Sequence, residues 1–237
     1  MPLIIFIVSI VVLGLIPSFA WLIFYLHEDF KHHQPKRLIL TAFLIGAAVT
    51  FIVLPVEIAL NNHFAAVGVV SNSFQSFTGL AAIEELFKFF AAYFFIHKLR
   101  QFDEPLDAMI YPITVALGFA AVENIATLFQ VAHGTIFNVS IIESLTLRFA
   151  GATLLHSLAS GLAGYYWGWS FFHPRRKWLL IAGGLGVATV LHAVFNYLII
   201  KTGPAGLAIG FVVFVSFFLL SDFEKFKKVD VKPAPAT

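Results

Sequence analysis

The sequence predicts an all-α fold: a polytopic membrane helix bundle of about seven transmembrane helices, with the N-terminus outside and the C-terminus cytoplasmic. Composition carries the first part of that reading. The 237 residues are 59% hydrophobic and 12% charged, include 28 Phe, and have a mean hydropathy of +0.89, far outside the soluble range. Apolar windows at residues 3–26, 38–60, 77–97, 108–131, 146–172, 178–200 and 205–221 carry the second, each near the length that crosses a bilayer. The basic residues carry the third. Lys31, Lys36 and Arg37, then Lys98 and Arg100, then Arg175, Arg176 and Lys177, then Lys225, Lys227, Lys228 and Lys232 fall in alternate loops, whereas the intervening loops hold only Lys201. The positive-inside rule then sets the orientation.

The first span lacks a basic leader, outlasts a signal h-region and runs into His27-Glu28-Asp29, so it is expected to be retained. The second carries Pro55 and, near its outer end, Glu57, expected at the interface together with His97 and Glu143. The fifth has Ser157, Gly161, Gly164 and Gly168, and the sixth has Gly183, Gly184 and Gly186. Small residues let helix backbones approach, so these two are expected to be central and spans three to six to form the core. The first and last spans have no ionisable residue in their interiors and are expected to face lipid. Residues 1–228 read as one integral-membrane domain and 229–237 as a disordered cytoplasmic tail. With no Cys there is neither a disulfide framework nor a thiolate site, and nothing resembles a nucleic-acid surface. The remaining histidines, His27, His32, His33, His63, His133 and His173, lie in loops or at span ends and are assigned no role.

Charge inside the spans is the informative feature. An ionisable residue in the bilayer costs a few kcal/mol even on lenient scales, so it faces a protein interior or a wet cavity and finds partners. Glu84, Glu85 and Lys88 sit in the third span, with the lysine at i+4 and i+3 from the two carboxylates. Glu123-Asn124 lie in the fourth, His156 with Ser157 and Ser160 in the fifth, and His192 with Asn196 in the sixth. Counting from the outer ends, Glu84, Glu123 and His192 all fall roughly 10 to 12 Å below the outer surface, and His156 fits the same layer if its span begins near Arg148. A lone intramembrane His is ordinarily an interhelical donor and a lone Asn or Ser is packing glue. Four helices placing their costliest residues at one depth point instead to one polar site. Arg148 either anchors at the interface or points into that site.

Such a set suits hydrolysis. A desolvated carboxylate can accept a proton from water, and a neutral imidazole can bind a metal or donate to an oxyanion. Two His plus a Glu also make a plausible zinc site, with Glu123, His156 and His192 as the candidate ligands. Because the ligands lie on different helices, spacing leaves metal-activated and carboxylate-activated water both open. The rival class is a proton-coupled transporter or membrane binding scaffold, but the chain has no internal repeat and its polar layer is off-centre.

These residues resemble a known family. Glu84-Glu85-Leu86-Phe87-Lys88 matches the Glu-Glu-x-x-Lys motif of PrsW-type intramembrane proteases, and Phe119-Ala120-Ala121-Val122-Glu123-Asn124 matches their Phe-x-x-x-Glu-Asn motif. His156 and His192, the latter followed by Asn196, fall where that family has its histidine motifs. Pro17, Tyr25, Asp29, Pro35, Tyr111 and Arg148 agree as lesser features. The related type II CAAX prenyl endopeptidases have Glu-Glu-x-x-x-Arg and a His in the second motif, where this chain has Lys88 and Glu123. The resemblance implies an endopeptidase of the cell membrane that cuts membrane-anchored proteins, anti-sigma factors being the best-known type, on the outer side. Family members are described both as metalloproteases and as glutamic proteases, so zinc is implied by one description and no cofactor by the other. On this reading Glu84 is the general base, Glu85 and Lys88 set its charge, and Glu123, His156 and His192 complete the site. Asn124, Asn196 and Arg148 orient them, and outer loops 61–76 and 132–145 gate the substrate.

Overall fold

The computed structural model describes residues 2–28, 34–132, 136, 139–202 and 205–228, so the expected tail at 229–237 and the positions Asp29, Lys31, His32, His33 and His133 lie outside the described residues. The helices are α1 (Leu3–Glu28), α2 (Lys36–Ala66), α3 (Phe74–Ile96), α4 (Asp107–Val131), α5 (Val139–Leu147), α6 (Thr153–Trp169), α7 (Lys177–Lys201) and α8 (Ala205–Lys227). A π-helical turn, Arg148–Ala152, joins α5 to α6 into one run, giving seven helical runs among the described residues and no strand. Five of the helices are long and apolar enough to cross a membrane: α1, α2, α4, α7 and α8. The two runs outside that group are α3, which carries Glu84, Glu85 and Lys88, and the π-interrupted α5–α6.

Helix α4 is the centre of the bundle, since every residue from Asp107 to Ala121 is buried. Its neighbours reach it through glycine. A Cβ on Gly46 of α2 would stand 1.9 Å from the Val115 carbonyl oxygen, and one on Gly118 of α4 would stand 1.9 Å from the Phe43 carbonyl oxygen. Across α4, Gly164 of α6 comes as close to the Ala108 carbonyl oxygen, where a Cβ would stand at 2.1 Å. Without a hydrophobic force between helices in lipid, such backbone approach supplies the dispersion contacts that hold them. The small-residue stripe of the fifth span therefore does pack centrally. In the sixth, Gly184 packs on Tyr166, whereas Gly183 and Gly186 meet nothing within 4 Å.

All four basic loops meet at one end, as their alternation requires. Lys227 pairs with Glu28 at 2.7 Å, tying α8 to α1. Tyr111 donates to Gln34 at 2.8 Å and the Gln34 amide donates to Asp107, while Lys177 donates to the Tyr93 hydroxyl at 2.9 Å. Asp107 in turn accepts from the backbone N–H groups of Asp103 and Glu104, both at 3.0 Å, closing the turn that starts α4.

The opposite end departs from expectation. The segments at 61–76 and 132–145, expected as loops, are partly helical. α2 runs on to Ala66 and stops in a Schellman turn, where Val69 N–H donates to the Phe64 carbonyl and Gly68 N–H to the Ala65 carbonyl, with Gly68 at φ +78°. Ser73 then caps α3 by accepting from the Ser76 N–H at 3.2 Å. Glu57 consequently lies nine residues inside α2, about 13 Å from that end of the helix. The π turn has its own support: Trp21 Nε1 donates to the Phe149 carbonyl at 2.8 Å, tying it to α1.

The α2–α4 crossing yields a direct test. Gly118→Val drives a side chain into the Phe43 backbone and is expected to cost at least about 2 kcal/mol. It should lower the thermal midpoint followed by circular dichroism in detergent. Gly186→Ala, in open space, should leave the midpoint unchanged or raise it, by up to about 1 kcal/mol.

Candidate active site

Helix α3 delivers the first three groups. Glu84, Glu85 and Lys88 are 6%, 1% and 0% exposed, on the face turned to α4, α6 and α7. The Lys88 ammonium donates to Glu85 Oε1 at 2.6 Å and to His156 Nδ1 at 3.0 Å, stands 3.8 Å from Glu84 Oε2, and lies 5.1 Å from the centre of the Phe119 ring. Glu85 is saturated: Oε1 also accepts from His192 Nδ1 at 2.8 Å, and Oε2 accepts from Ser160 at 3.3 Å.

The third carboxylate, Glu123, is held where α4 meets α6 and the π turn. Glu123 Oε2 accepts from His156 Nε2 at 2.8 Å and from Arg148 Nη2 at 3.1 Å. Arg148 also donates to Asn124 Oδ1 and, at 3.1 Å, to Thr127 Oγ1, and Asn124 Nδ2 donates to Thr153 at 3.1 Å. Arg148 thus points into the site and grips three residues of α4. An α-helix through 148–152 would rotate it relative to His156, so the extra residue in that turn lets both reach Glu123.

These bonds determine which imidazole nitrogen is which. Lys88 can only donate, so His156 Nδ1 is the lone-pair nitrogen and Nε2 carries the proton given to Glu123. In His192 the carboxylate of Glu85 takes the Nδ1 proton, which leaves Nε2 as the lone pair. The lone pair of His192 Nε2 lies 3.9 Å from Glu84 Oε2, and the same oxygen is 3.9 Å from His156 Nδ1, whose lone pair takes the Lys88 N–H. That oxygen is buried and has no hydrogen-bond partner. One ligand atom from each of Glu84, His156 and His192 falls within 4.8 Å of the others.

The structure therefore brings together Glu84, Glu85, Lys88, Glu123, Asn124, Arg148, His156 and His192. It distributes them differently from the expected ligand set. Glu123 lies behind His156, bonded to the nitrogen that faces away from Glu84, so the clustered donors are Glu84, His156 and His192 in place of Glu123, His156 and His192. Asn196 is half-buried and makes no side-chain hydrogen bond among the described residues, and Glu85 holds His192 instead. Sequence reading missed Thr127 and Thr153, whose hydroxyls carry no periodic signal. It also missed that Glu57, half-buried on α2, shares the electrostatic neighbourhood of Glu84, Glu123 and Lys88. The Gly68 turn, one residue type away from any apolar pattern, was the signal that α2 continues past Glu57.

A helical membrane bundle with three carboxylates and two imidazoles converging in its interior defines an intramembrane hydrolase. The chain belongs to the PrsW protease family: the family model described as "PrsW family intramembrane metalloprotease" matches residues 34–221. It is similar to Protease PrsW of Geobacillus kaustophilus, 29% identical over 203 residues covering 85% of this chain and 84% of that protein. It is likewise similar to Protease PrsW of Bacillus subtilis, 26% identical over 227 residues covering 94% and 98%. No solved structure matches the chain. The protein is thus a multi-pass membrane peptidase, acting on a protein substrate within a lipid environment.

Lys88 offers a test of the charge network. Lys88→Met strands Glu85 and Glu84 without their cation, and breaking a buried pair from one side costs about 3–5 kcal/mol. Its thermal midpoint should fall well below wild type, and Lys88→Met combined with Glu85→Gln should recover most of the loss.

Proposed function

We propose that this chain hydrolyses a peptide bond of a membrane-anchored protein, of the anti-sigma-factor type, in the outer half of the bilayer, and that Glu84, His156 and His192 hold a zinc ion there. The observation that carries the metal is the unpartnered Glu84 Oε2, 3.9 Å from the lone-pair Nε2 of His192 and 3.9 Å from His156 Nδ1. Each imidazole has its other nitrogen fixed by a carboxylate, His192 by Glu85 and His156 by Glu123, which is the outer-shell pattern of metal-binding histidines. Charge agrees. Glu84, Glu85 and Glu123 confront the cations of Lys88 and Arg148, leaving one negative charge uncompensated in a low-dielectric layer. Bound zinc in a His-His-Glu set supplies an activated water and a Lewis acid for the scissile carbonyl.

The chain's own residues do the rest. Glu85 and Glu123 keep the two rings in the tautomers that expose Nε2 and Nδ1 toward Glu84. Lys88 and Arg148 offset the carboxylates, and Arg148 locks α4 to the π turn. Glu123, at 30% side-chain exposure, marks the open side of the site, through which an unwound substrate segment reaches the buried Glu84. The hydrocarbon walls, with Phe119 against His156 at 5.7 Å, exclude bulk water from that segment.

A second reading rests on one contact. Lys88 already occupies His156 Nδ1 at 3.0 Å, an atom that metal binding needs, and with it in place Glu84 takes the proton from water directly as a general base. The deciding experiment uses purified protein in liposomes with single-span fusion substrates. Wild type should cleave and hold roughly one zinc per chain. Glu84→Ala, His156→Ala and His192→Ala should lose both metal and cleavage while keeping the wild-type circular dichroism spectrum. Cleavage that survives exhaustive chelation would select the general-base reading. Cleavage that survives Glu84→Ala would remove both.

A further inference from the structure

We propose that Trp21 and Tyr25 of α1 are positioning residues of this site: together they hold the π turn in the register from which Arg148 and His156 both reach Glu123. The inference rests on the proposed site being catalytic, holds with or without a metal, and gives a role to α1, which contributes no group to the site itself.

The contacts of α1 fall on either side of the π turn. Trp21 Nε1 donates to the Phe149 carbonyl at 2.8 Å, and its ring stacks on the Phe149 ring at 5.4 Å. Tyr25, one turn further along the same face of α1, meets the Ser157 hydroxyl at 3.0 Å, and both residues are buried. Ser157 gives its single proton to the Leu154 carbonyl at 2.7 Å, so Tyr25 is the donor. Phe149 directly follows Arg148, and Ser157 directly follows His156. α1 therefore grips the residue next to each of the two groups that hold Glu123.

Both grips depend on the π turn. Residues eight apart on an α-helix, as Phe149 and Ser157 are, point about 80° apart around the axis. The π turn, closed by the Thr153 N–H on the Arg148 carbonyl, takes up one extra residue and brings that angle to about 20°. Phe149 and Ser157 then share the face turned to α1. By the same shift Arg148 and His156 share the face turned to Glu123, at 3.1 and 2.8 Å. A regular α-helix through this run satisfies one member of each pair and not both. It would also leave the Tyr25 hydroxyl buried without its acceptor, since stacking on Phe223 of α8 at 5.9 Å holds that ring in place.

The test uses full-length protein in lipid nanodiscs with a single-span substrate, and reads kcat per folded chain, KM and the thermal midpoint. Trp21→Phe keeps a ring against Phe149 without the N–H, and Tyr25→Phe keeps the ring against Phe223 without the O–H. The two substitutions together are expected to lower kcat about 100-fold, the scale of a misplacement of about 1 Å, with KM little changed. Arg148→Ala removes the need for a shared face, so adding both substitutions to it should cost less than about threefold more, the non-additivity of residues that act through one contact. Trp21→benzothienylalanine, which keeps the fused ring and replaces only the N–H by sulfur, repeats the test with packing preserved and should lower kcat about fivefold at an unchanged midpoint. Wild-type kcat per folded chain in the doubly substituted protein overturns the proposal, as does an equal loss with and without Arg148. Glu84→Ala cleaving as fast as wild type overturns the site reading itself, an outcome distinct from either.

Discussion

A fully buried ammonium, Lys88, ties together the half of this bundle away from the basic loops. An amine in hydrocarbon is tolerated only when its protons are all engaged, and here they reach Glu85 on its own helix, His156 on α6 and the approach to Glu84. Each partner extends the network to another helix. Glu85 passes it to His192 on α7, and His156 passes it to Glu123 on α4, where Arg148 returns it to the π turn. Four helices are joined by bonds whose alternative is an unsatisfied polar group in a medium without water. Hydrogen bonds between membrane helices add only modestly to stability on average, so the network's main consequence is geometric: it leaves few ways to dock α3, α4, α6 and α7.

The two halves of the bundle are held by different physics. Toward the basic end, glycines let α2 and α6 press their backbones against α4, and aromatic rings fill what remains, with Trp167 between Phe102 at 4.7 Å and Tyr93 at 5.3 Å. Toward the other end, α2 meets α3 through Leu60, Phe64 and Gly79. Packing that is tight and apolar below, with a polar network above, leaves the site supported from beneath and open beside Glu123. A site of this kind can admit a substrate segment without disturbing the crossing that positions α4.

Much of this was legible in the chain before any coordinates. The spans followed from hydropathy, and the common depth of Glu84, Glu123 and His192 followed from counting residues at a fixed helical rise. What sequence could not supply was anything set by rotation between helices. Whether Glu84 or Glu123 joins the two histidines depends on which side of His156 each approaches, and no spacing within one helix encodes that. Glu57 escaped because hydropathy ends a span where polar residues begin. Asn61, Asn62 and His63 closed the apolar window although the backbone stays helical to the Gly68 turn. Gly46 and Gly118, at small-xxx-small spacing with Ala42 and Thr114, make the closest crossing, whereas a Cβ on Gly183 or Gly186, in a glycine-rich stretch, would meet nothing within 4 Å. Asn196 matched a motif position, but hydrogen-bond supply decides orientation, and Glu85 already meets that need for His192.

Helix α3 shows how far the fold and the site depend on one another. It is of spanning length, yet it carries two carboxylates and an amine in its middle and so falls outside the group of helices apolar enough to cross alone. Within α3 only part of that cost is cancelled: Lys88 neutralises Glu85 at i−3, while Glu84 is left 3.8 Å away with an oxygen unpaired. His156 and His192, each 3.9 Å from that oxygen, stand on helices made after it in the chain. α3 is therefore stable in the bilayer only in the company of the groups that make the site, and assembling the bundle and assembling the catalytic constellation are one event.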